Sequence, residues 1–386
     1  MRILVNAVAA RMGGAATHLP AFLRTAATRY PEDSFVACVN RGLRLPTLPA
    51  NVSLVETGEL RSRITHAAWD LWGVSRLARQ TRADLVISLL NFGPIRCPVP
   101  HIVFQRNPTY FCHHYLRTLT PRQTVEITAA RGLAYAVMRG ADRIVTPSGA
   151  MRDMIRAVYP DLPAGKFHVI PHGIDHVLTP AEPLPGPAAA HVASSTGVRL
   201  LYVSHAAPYK GIDILLEGCA VLRDRHVPHT LWLTISPEDW PEGVARFREV
   251  IDRRGLDDHV RILGRIPHAA IHHLYRAADL FVHPSLCESF GFPLVEAMAH
   301  GLPVVAADLP VHREMCGAAA LYYRATDPAG LAEAVHRLAG DAAARAELGR
   351  AGRERARDFS WEKHVDAVMQ LAREVRAHSP HPAPPA

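Results

Sequence analysis

Two glutamates, Glu288 and Glu296, stand eight residues apart around Ser289-Phe290-Gly291-Phe292-Pro293-Leu294. Carboxylates accept hydrogen bonds from hydroxyl groups, and the backbone N–H groups of a glycine loop that runs into a helix start favour a phosphate or another polar group. The apolar run Leu280–His283 ends at Pro284, and Pro293 suits a first helical turn because its missing N–H is not needed there. Residues 288–292 therefore read as a loop at the carboxyl end of a strand, with Glu296 about one turn into the next helix. On one continuous helix the two acids would lie about 12 Å apart. That exceeds the roughly 5–9.5 Å of paired glycosidase carboxylates, so the loop must fold back if both acids are to serve one ligand.

Lys210 is the next candidate. It follows the apolar run Leu200–Val203 and stands just before a helix predicted from Ile212. A lysine there opposes the helix dipole, which points to an anion such as a diphosphate, or else to a solvated surface side chain. A glycine loop, Arg11-Met12-Gly13-Gly14-Ala15-Ala16-Thr17-His18, follows the first apolar run and opens a helix. It offers close backbone approach to an anion, but it matches neither a dinucleotide fingerprint nor a P-loop. The six cysteines form no Cys-x-x-Cys pair and read as buried free thiols, and the 23 histidines include no His-x-x-x-His motif with a carboxylate. No metal site is expected.

The elements that would position these residues alternate along the chain. Apolar strand candidates in the first half are Ile3–Val8, Phe35–Val39, Val52–Val55, Leu85–Leu90, Ile102–Phe104, Arg143–Thr146 and Phe167–Ile170, with helical patterns at Thr17–Arg29, Thr65–Gln80 and Thr124–Arg139. Strands apolar throughout, separated by helices, signal a parallel sheet covered on both faces. Residues 179–197 are rich in Pro, Ala, Gly and Ser without a period and read as a linker. The alternation then restarts, with strand candidates Arg199–Val203, Thr230–Ile235, Val260–Leu263, Leu280–His283, Val304–Ala306 and Ala320–Tyr323. The expected class is α/β, with two doubly wound Rossmann-like domains over 1–178 and 198–359, a helix over 360–376 and a disordered tail over 377–386. Open sheets of this kind bind ligands at the carboxyl ends of their strands.

Bulk composition narrows the function. The chain carries 43 Lys and Arg against 36 Asp and Glu, and residues 1–178 hold 21 against 11. Such a basic half attracts phosphates or anionic lipid. The arginines are scattered and no zinc-finger or RNA-binding motif accompanies them, so nucleic acid is not an expected partner. No apolar run is long enough to span a bilayer, and the N-terminus turns polar too soon for a secretory signal. A cytoplasmic location is expected, with peripheral membrane contact left open. The oligomeric state is not legible.

Together these residues resemble glycosyltransferase family 4, retaining enzymes of the GT-B fold. The resemblance is densest in Ile262-Leu263-Gly264, Leu274-Tyr275-Arg276-Ala277-Ala278-Asp279, Pro284-Ser285, Glu288-Ser289-Phe290-Gly291 and Glu296-Ala297-Met298-Ala299-His300-Gly301-Leu302-Pro303-Val304-Val305. Weaker echoes are Gly13-Gly14 and Val169-Ile170-Pro171-His172-Gly173-Ile174-Asp175. It implies a nucleoside-diphosphate sugar as donor and no metal cofactor. It also implies that Glu296 binds the ribose, that Glu288 contacts the donor sugar, and that backbone amides of Phe290, Gly291, Phe292 and Leu294 hold hydroxyls and diphosphate. Lys210 would neutralise the leaving diphosphate, Gly14 would let the first loop close over it, Arg265 and Ile266 would flank the base, and the last helix would cross back onto the N-terminal domain.

Two departures stand out. Family members commonly carry Gly-Arg shortly before the lysine, where this chain has Ser204-His205, so His205 is the candidate substitute for a second diphosphate contact. Many have a histidine after the strand at 102–104, where this chain has Gln105-Arg106-Asn107. Those three and His18 are the acceptor-side candidates. His18 also resembles the helix-start base of inverting GT-B enzymes. The expected activity is retaining transfer of a hexose-type sugar to a hydroxyl of an acceptor that the sequence does not identify: an envelope glycan or lipid intermediate, or a secondary metabolite. The rivals are a sugar-nucleotide epimerase or phosphorylase of the same fold, and a non-catalytic binder of anionic lipid or nucleic acid.

Overall fold

The apolar runs of the sheet centres become strands because their side chains are buried on both faces. A computed structural model describes residues 1–9, 14–43, 45–58, 60, 62–174 and 182–378. The chain divides into two units, one holding residues 1–112, 119–173 and 360 onward, the other 113–118 and 174–359. Residues 113–118, expected in the first domain, thus belong to the second unit. Residues 11–13 of the glycine loop, 179–181 of the expected linker and the tail from 379 lie outside the described residues.

The first unit contains β1 (Arg2–Asn6), β2 (Ser34–Asn40), β3 (Val52–Thr57), β4 (Leu85–Ser88), β5 (His101–Phe104), β6 (Arg143–Thr146) and β7 (Phe167–Val169). They form one parallel sheet in the order β3-β2-β1-β4-β5-β6-β7. Leu4, Val5, Leu85, Val86 and Ile87 of its central strands are completely buried. At the edge, β3 leaves Leu54 45% exposed. The helix Trp361–Ala377 packs in this unit against the helix Gly14–Arg29, burying Val365, Val368, Met369 and Ala372 in the same core as Phe22 and Leu23. Ser360 caps it by accepting from the Lys363 N–H at 3.2 Å.

The second unit contains β8 (Val198–Tyr202), β9 (His229–Leu233), β10 (Val260–Ile262), β11 (Leu280–His283), β12 (Val304–Ala307) and β13 (Ala320–Tyr323), a parallel sheet in the order β10-β9-β8-β11-β12-β13. Its direction of winding reverses between β8 and β11, which opens a crevice beyond their carboxyl ends.

Three differences from the sequence expectation are local. The stretch read as a linker contains a helix, Gly186–Ala193. The helix expected over 65–80 is interrupted by a π-turn at Trp69–Gly73. Helices at Gly149–Val158, Pro241–Arg253 and His268–Ala277 have no counterpart among the expected elements.

Candidate functional site

The two loops that leave β8 and β11 meet in that crevice. The first carries Lys210 and ends at Gly211; the second carries Glu288 and ends at Gly291. They are stitched together, since the Leu286 N–H donates to the Tyr209 carbonyl at 2.9 Å. Gly211 lies at φ +70°, and a Cβ there would stand 2.1 Å from the Pro284 carbonyl oxygen. Gly291 lies at φ +86°, and both glycines immediately precede a helix. Only glycine adopts this backbone without strain, so the loops can touch and still turn directly into their helices.

At the contact, Lys210 Nζ donates to Glu288 Oε1 at 2.6 Å, with the two side chains 9% and 11% exposed. His283, the last residue of β11 and completely buried, places its Nε2 3.4 Å from the same oxygen. Burial alone would raise the Glu288 carboxyl, but Lys210 and His283 overcome it and hold the group well below the usual carboxylate range. Burial holds His283 below the usual imidazole value, opposed by Glu288. The result is an ionised glutamate and an ammonium in a largely dehydrated pocket, a pair able to exchange its internal contact for hydroxyls and an anion. Tyr209 adds to the same cluster: the ammonium lies 5.4 Å from its ring centroid, and Tyr115 packs edge-on against that ring at 5.0 Å.

Glu296 sits on the helix Phe292–His300 and has its own partners. Tyr275 donates its hydroxyl to Oε2 at 2.8 Å, and His268 Nε2 lies 3.8 Å from Oε1. Burial raises the carboxyl, while His268 and Tyr275 outweigh it, so the group sits below its usual range. Tyr275 is itself stacked on His300 and 1% exposed, which fixes its hydroxyl.

Other expected contacts look different in three dimensions. His205 lies 3.3 Å from the Tyr209 hydroxyl, and desolvation and the nearby Lys210 lower its basicity, so it does not supply a second full positive charge at neutral pH. The Leu294 N–H already donates to the Gly291 carbonyl at 3.0 Å and Pro293 has no N–H, so neither offers a spare donor. The side chain of Phe290 is core, packed on Phe292 and Phe359. Arg265 is tied to Glu238 and Asp239 at 3.2 and 2.6 Å, and Ile266 beside it is half-buried.

In the first unit, Gly14 is the first residue of its helix. His18 is 1% exposed and enclosed by Phe22, His172, Trp361 and His364, so it is not the accessible base its position suggested. Gln105 is completely buried and donates to the Asn91 carbonyl. The Arg106 and Asn107 N–H groups both donate to Asn91 Oδ1 at 2.7 and 2.9 Å, and the Asn107 side chain caps the turn Pro108–Tyr110. His283, Tyr275, His268 and Tyr209 are partners that sequence reasoning missed. An imidazole ending an apolar strand at His283 was the available signal.

Relatives with the same architecture are numerous. Sucrose-phosphate synthase from Thermosynechococcus elongatus superposes with a TM-score of 0.77 at 18% identity, covering 98% of this chain and all of that one. Anabaena HepE in complex with UDP-glucose superposes at 0.70 with 19% identity, covering 97% of this chain and all of that one. These likenesses establish the GT-B fold. In sequence, the chain is 32% identical over 252 residues to a D-inositol 3-phosphate glycosyltransferase of Saccharomonospora viridis, which spans 62% of this chain and 57% of that relative. It is 29% identical over 301 residues to an alpha-maltose-1-phosphate synthase of Mycolicibacterium smegmatis, spanning 72% and 74%. The first of these and its namesakes are thus matched over only about half their length. Residues 12–178 match the model "Glycosyltransferase Family 4" and residues 189–355 the model "Glycosyl transferases group 1". With both halves of the chain matched, this protein belongs to glycosyltransferase family 4.

Proposed function

We propose that the chain moves a hexose-type sugar from a nucleoside-diphosphate sugar to a hydroxyl of a phosphate-bearing acceptor, with retention at the anomeric carbon. The observation that carries this reading is the buried Lys210–Glu288 pair at the switch point between β8 and β11, in the loop just before the helix that bears Glu296. On donor binding, Lys210 turns to the diphosphate, Glu288 accepts from sugar hydroxyls, and Glu296, oriented by Tyr275, accepts from the ribose. The bond from the anomeric carbon to the diphosphate oxygen breaks with its electron pair going to the diphosphate. Lys210, already turned to the diphosphate when the donor is bound, stabilises that charge with no further reorganisation in the bond-breaking step. The acceptor hydroxyl forms the new bond from the same face and its proton passes to the departing phosphate oxygen, so no enzymic nucleophile is needed.

A UDP-glucose complex of Anabaena HepE supports the donor class, and the names of the sequence relatives and of sucrose-phosphate synthase support a phosphorylated acceptor. Among the described residues no helix is long and apolar enough to cross a membrane. Peripheral contact with an anionic bilayer is supported by Trp72, 70% exposed beside Arg76, Arg79 and Arg96. A thermal-shift screen of nucleotide sugars, followed by diphosphate release with phosphorylated and neutral acceptors and NMR of the product, tests the reading. Stabilisation by one donor and acceptor-dependent release with retention are expected. Inversion, or conversion of the donor without acceptor, would overturn it.

A further inference from the structure

Three buried histidines from three separate segments meet in the first unit. His18 comes from the helix after β1, His172 from the segment after β7, and His364 from the helix Trp361–Ala377. They are 1%, 2% and 2% exposed, and their ring nitrogens include a set within 4.8 Å of one another. Neither nitrogen of His18 has a hydrogen-bond partner, and neither does Nε2 of His364. A buried polar atom without a partner is costly, and in native proteins such a group marks a water or an ion. At His364 the Nδ1 donates to the Pro171 carbonyl at 2.7 Å, which leaves on Nε2 the lone pair that a metal ion needs. A backbone carbonyl holding the far nitrogen is the usual support of a metal-binding imidazole.

We infer that His18, His172 and His364 form a binding site for a divalent transition metal of the zinc type, which ties the last helix to the N-terminal segment of its own unit. The ring geometry agrees. Three imidazoles on a tetrahedral ion with bonds of about 2.1 Å have centroids about 5.2 Å apart. Here the centroids are 4.8, 5.2 and 5.6 Å apart, with the rings steeply inclined to one another. The nitrogens need to close from within 4.8 Å to about 3.4 Å, and with the centroids already spaced this calls for ring rotation rather than backbone movement. No fourth His, Cys, Asp or Glu joins the group among the described residues, so one coordination position stays open. Arg106 exerts a positive field on all three rings. The fourth ligand is therefore an anion, hydroxide or chloride, which offsets both cations.

The test uses the untagged full chain, stripped with chelator and titrated separately with zinc and cobalt(II). One equivalent per chain, bound with the intense visible spectrum of tetrahedral cobalt and raising the melting temperature, is expected. Stoichiometry below one half, or a weak octahedral cobalt spectrum from surface histidines, would overturn the proposal, and this arm needs no variant. His364→Gln and His18→Gln should each weaken binding at least 100-fold, while the exposed His113→Gln should leave it unchanged. Undiminished cobalt binding in a folded His364→Gln chain would also overturn it.

Discussion

Replacing Lys210 by methionine nearly keeps the length of the side chain and removes its charge, leaving Glu288 11% exposed with only the His283 contact at 3.4 Å. Losing one partner of a buried pair costs about 3–5 kcal/mol. The carboxylate can limit that cost by taking up a proton. With an unfolded value of about 4.3 and about 1.36 kcal/mol per pH unit, protonation at pH 7 costs about 3.7 kcal/mol, and at pH 5 about 1 kcal/mol. The signs are opposite in the two proteins. The wild-type carboxyl is depressed, so its stabilisation is present above about pH 4.3 and is lost as pH falls through the folded value. In Lys210→Met the carboxyl is raised, the folded state carries the extra proton, and stability declines as pH rises from 5 to 7. The gap between the proteins should therefore widen by about 2.7 kcal/mol over those two units. Urea denaturation monitored by far-ultraviolet circular dichroism measures it at each pH. Lys210→Met/Glu288→Gln should recover most of the stability while transfer stays at least 100-fold down. A gap independent of pH, or a double variant no more stable than the single one, would refute the charge-pair argument.

Glu296→Gln should raise the KM for the donor at least ten-fold with a smaller change in kcat, because the contact proposed for it, with the ribose, does not change during the reaction, and Tyr275→Phe should do the same more weakly; steady-state kinetics with the donor varied separates the two constants. Gly211→Ala forces a Cβ against the Pro284 carbonyl at a positive φ and should cost about 2–5 kcal/mol, read as a lowered urea midpoint. Acid should unfold the protein early. His101 and His312 are pushed down to about 3 and His229 to about 4 by burial, so each is neutral in the fold and protonated in the unfolded chain. Each then removes about 1.4 kcal/mol per pH unit as pH falls below about 6.5 toward its folded value. The melting temperature should drop steeply between pH 6.5 and 5, and a flat profile would contradict their burial as neutral imidazoles.

The central strands were legible because burial on both faces demands uninterrupted apolar runs, a signal that needs no knowledge of the partner strand. Helices were less so. Pro241–Arg253 buries Val244, Phe247, Val250 and Ile251 on one side and carries mostly charged residues on the other, an amphipathic stripe that was present in the sequence and was passed over. Gly186–Ala193 was hidden by composition: alanine is the best helix former, and Pro187 falls in the first turn, where proline is tolerated, so a stretch of linker-like residues is also a good short helix.

The site was half legible for a different reason. Lys210 and Glu288 could be picked out singly, as a cation before a helix and an acid at a strand end, and Glu296 by its spacing from Glu288. Their relation could not. The anion that the position of Lys210 demanded is supplied by Glu288, 78 residues on, and that contact exists only because β8 and β11 are neighbours in the sheet while far apart in sequence. The same holds for His283, whose partner is close in sequence but whose burial comes from the strands on either side. It holds again for Tyr275, which reaches Glu296 across two elements. A resident carboxylate on the lysine also changes what the lysine is in the free protein. It is a charge already matched and largely dehydrated, and under the proposed function a diphosphate must compete with Glu288 for it. Sugar hydroxyls that satisfy Glu288 make that exchange favourable, so donor sugar and diphosphate should bind cooperatively. A nucleoside diphosphate alone should bind less tightly than the sum of its contacts implies, and Glu288→Gln should narrow the difference in affinity between nucleoside diphosphate and nucleotide sugar.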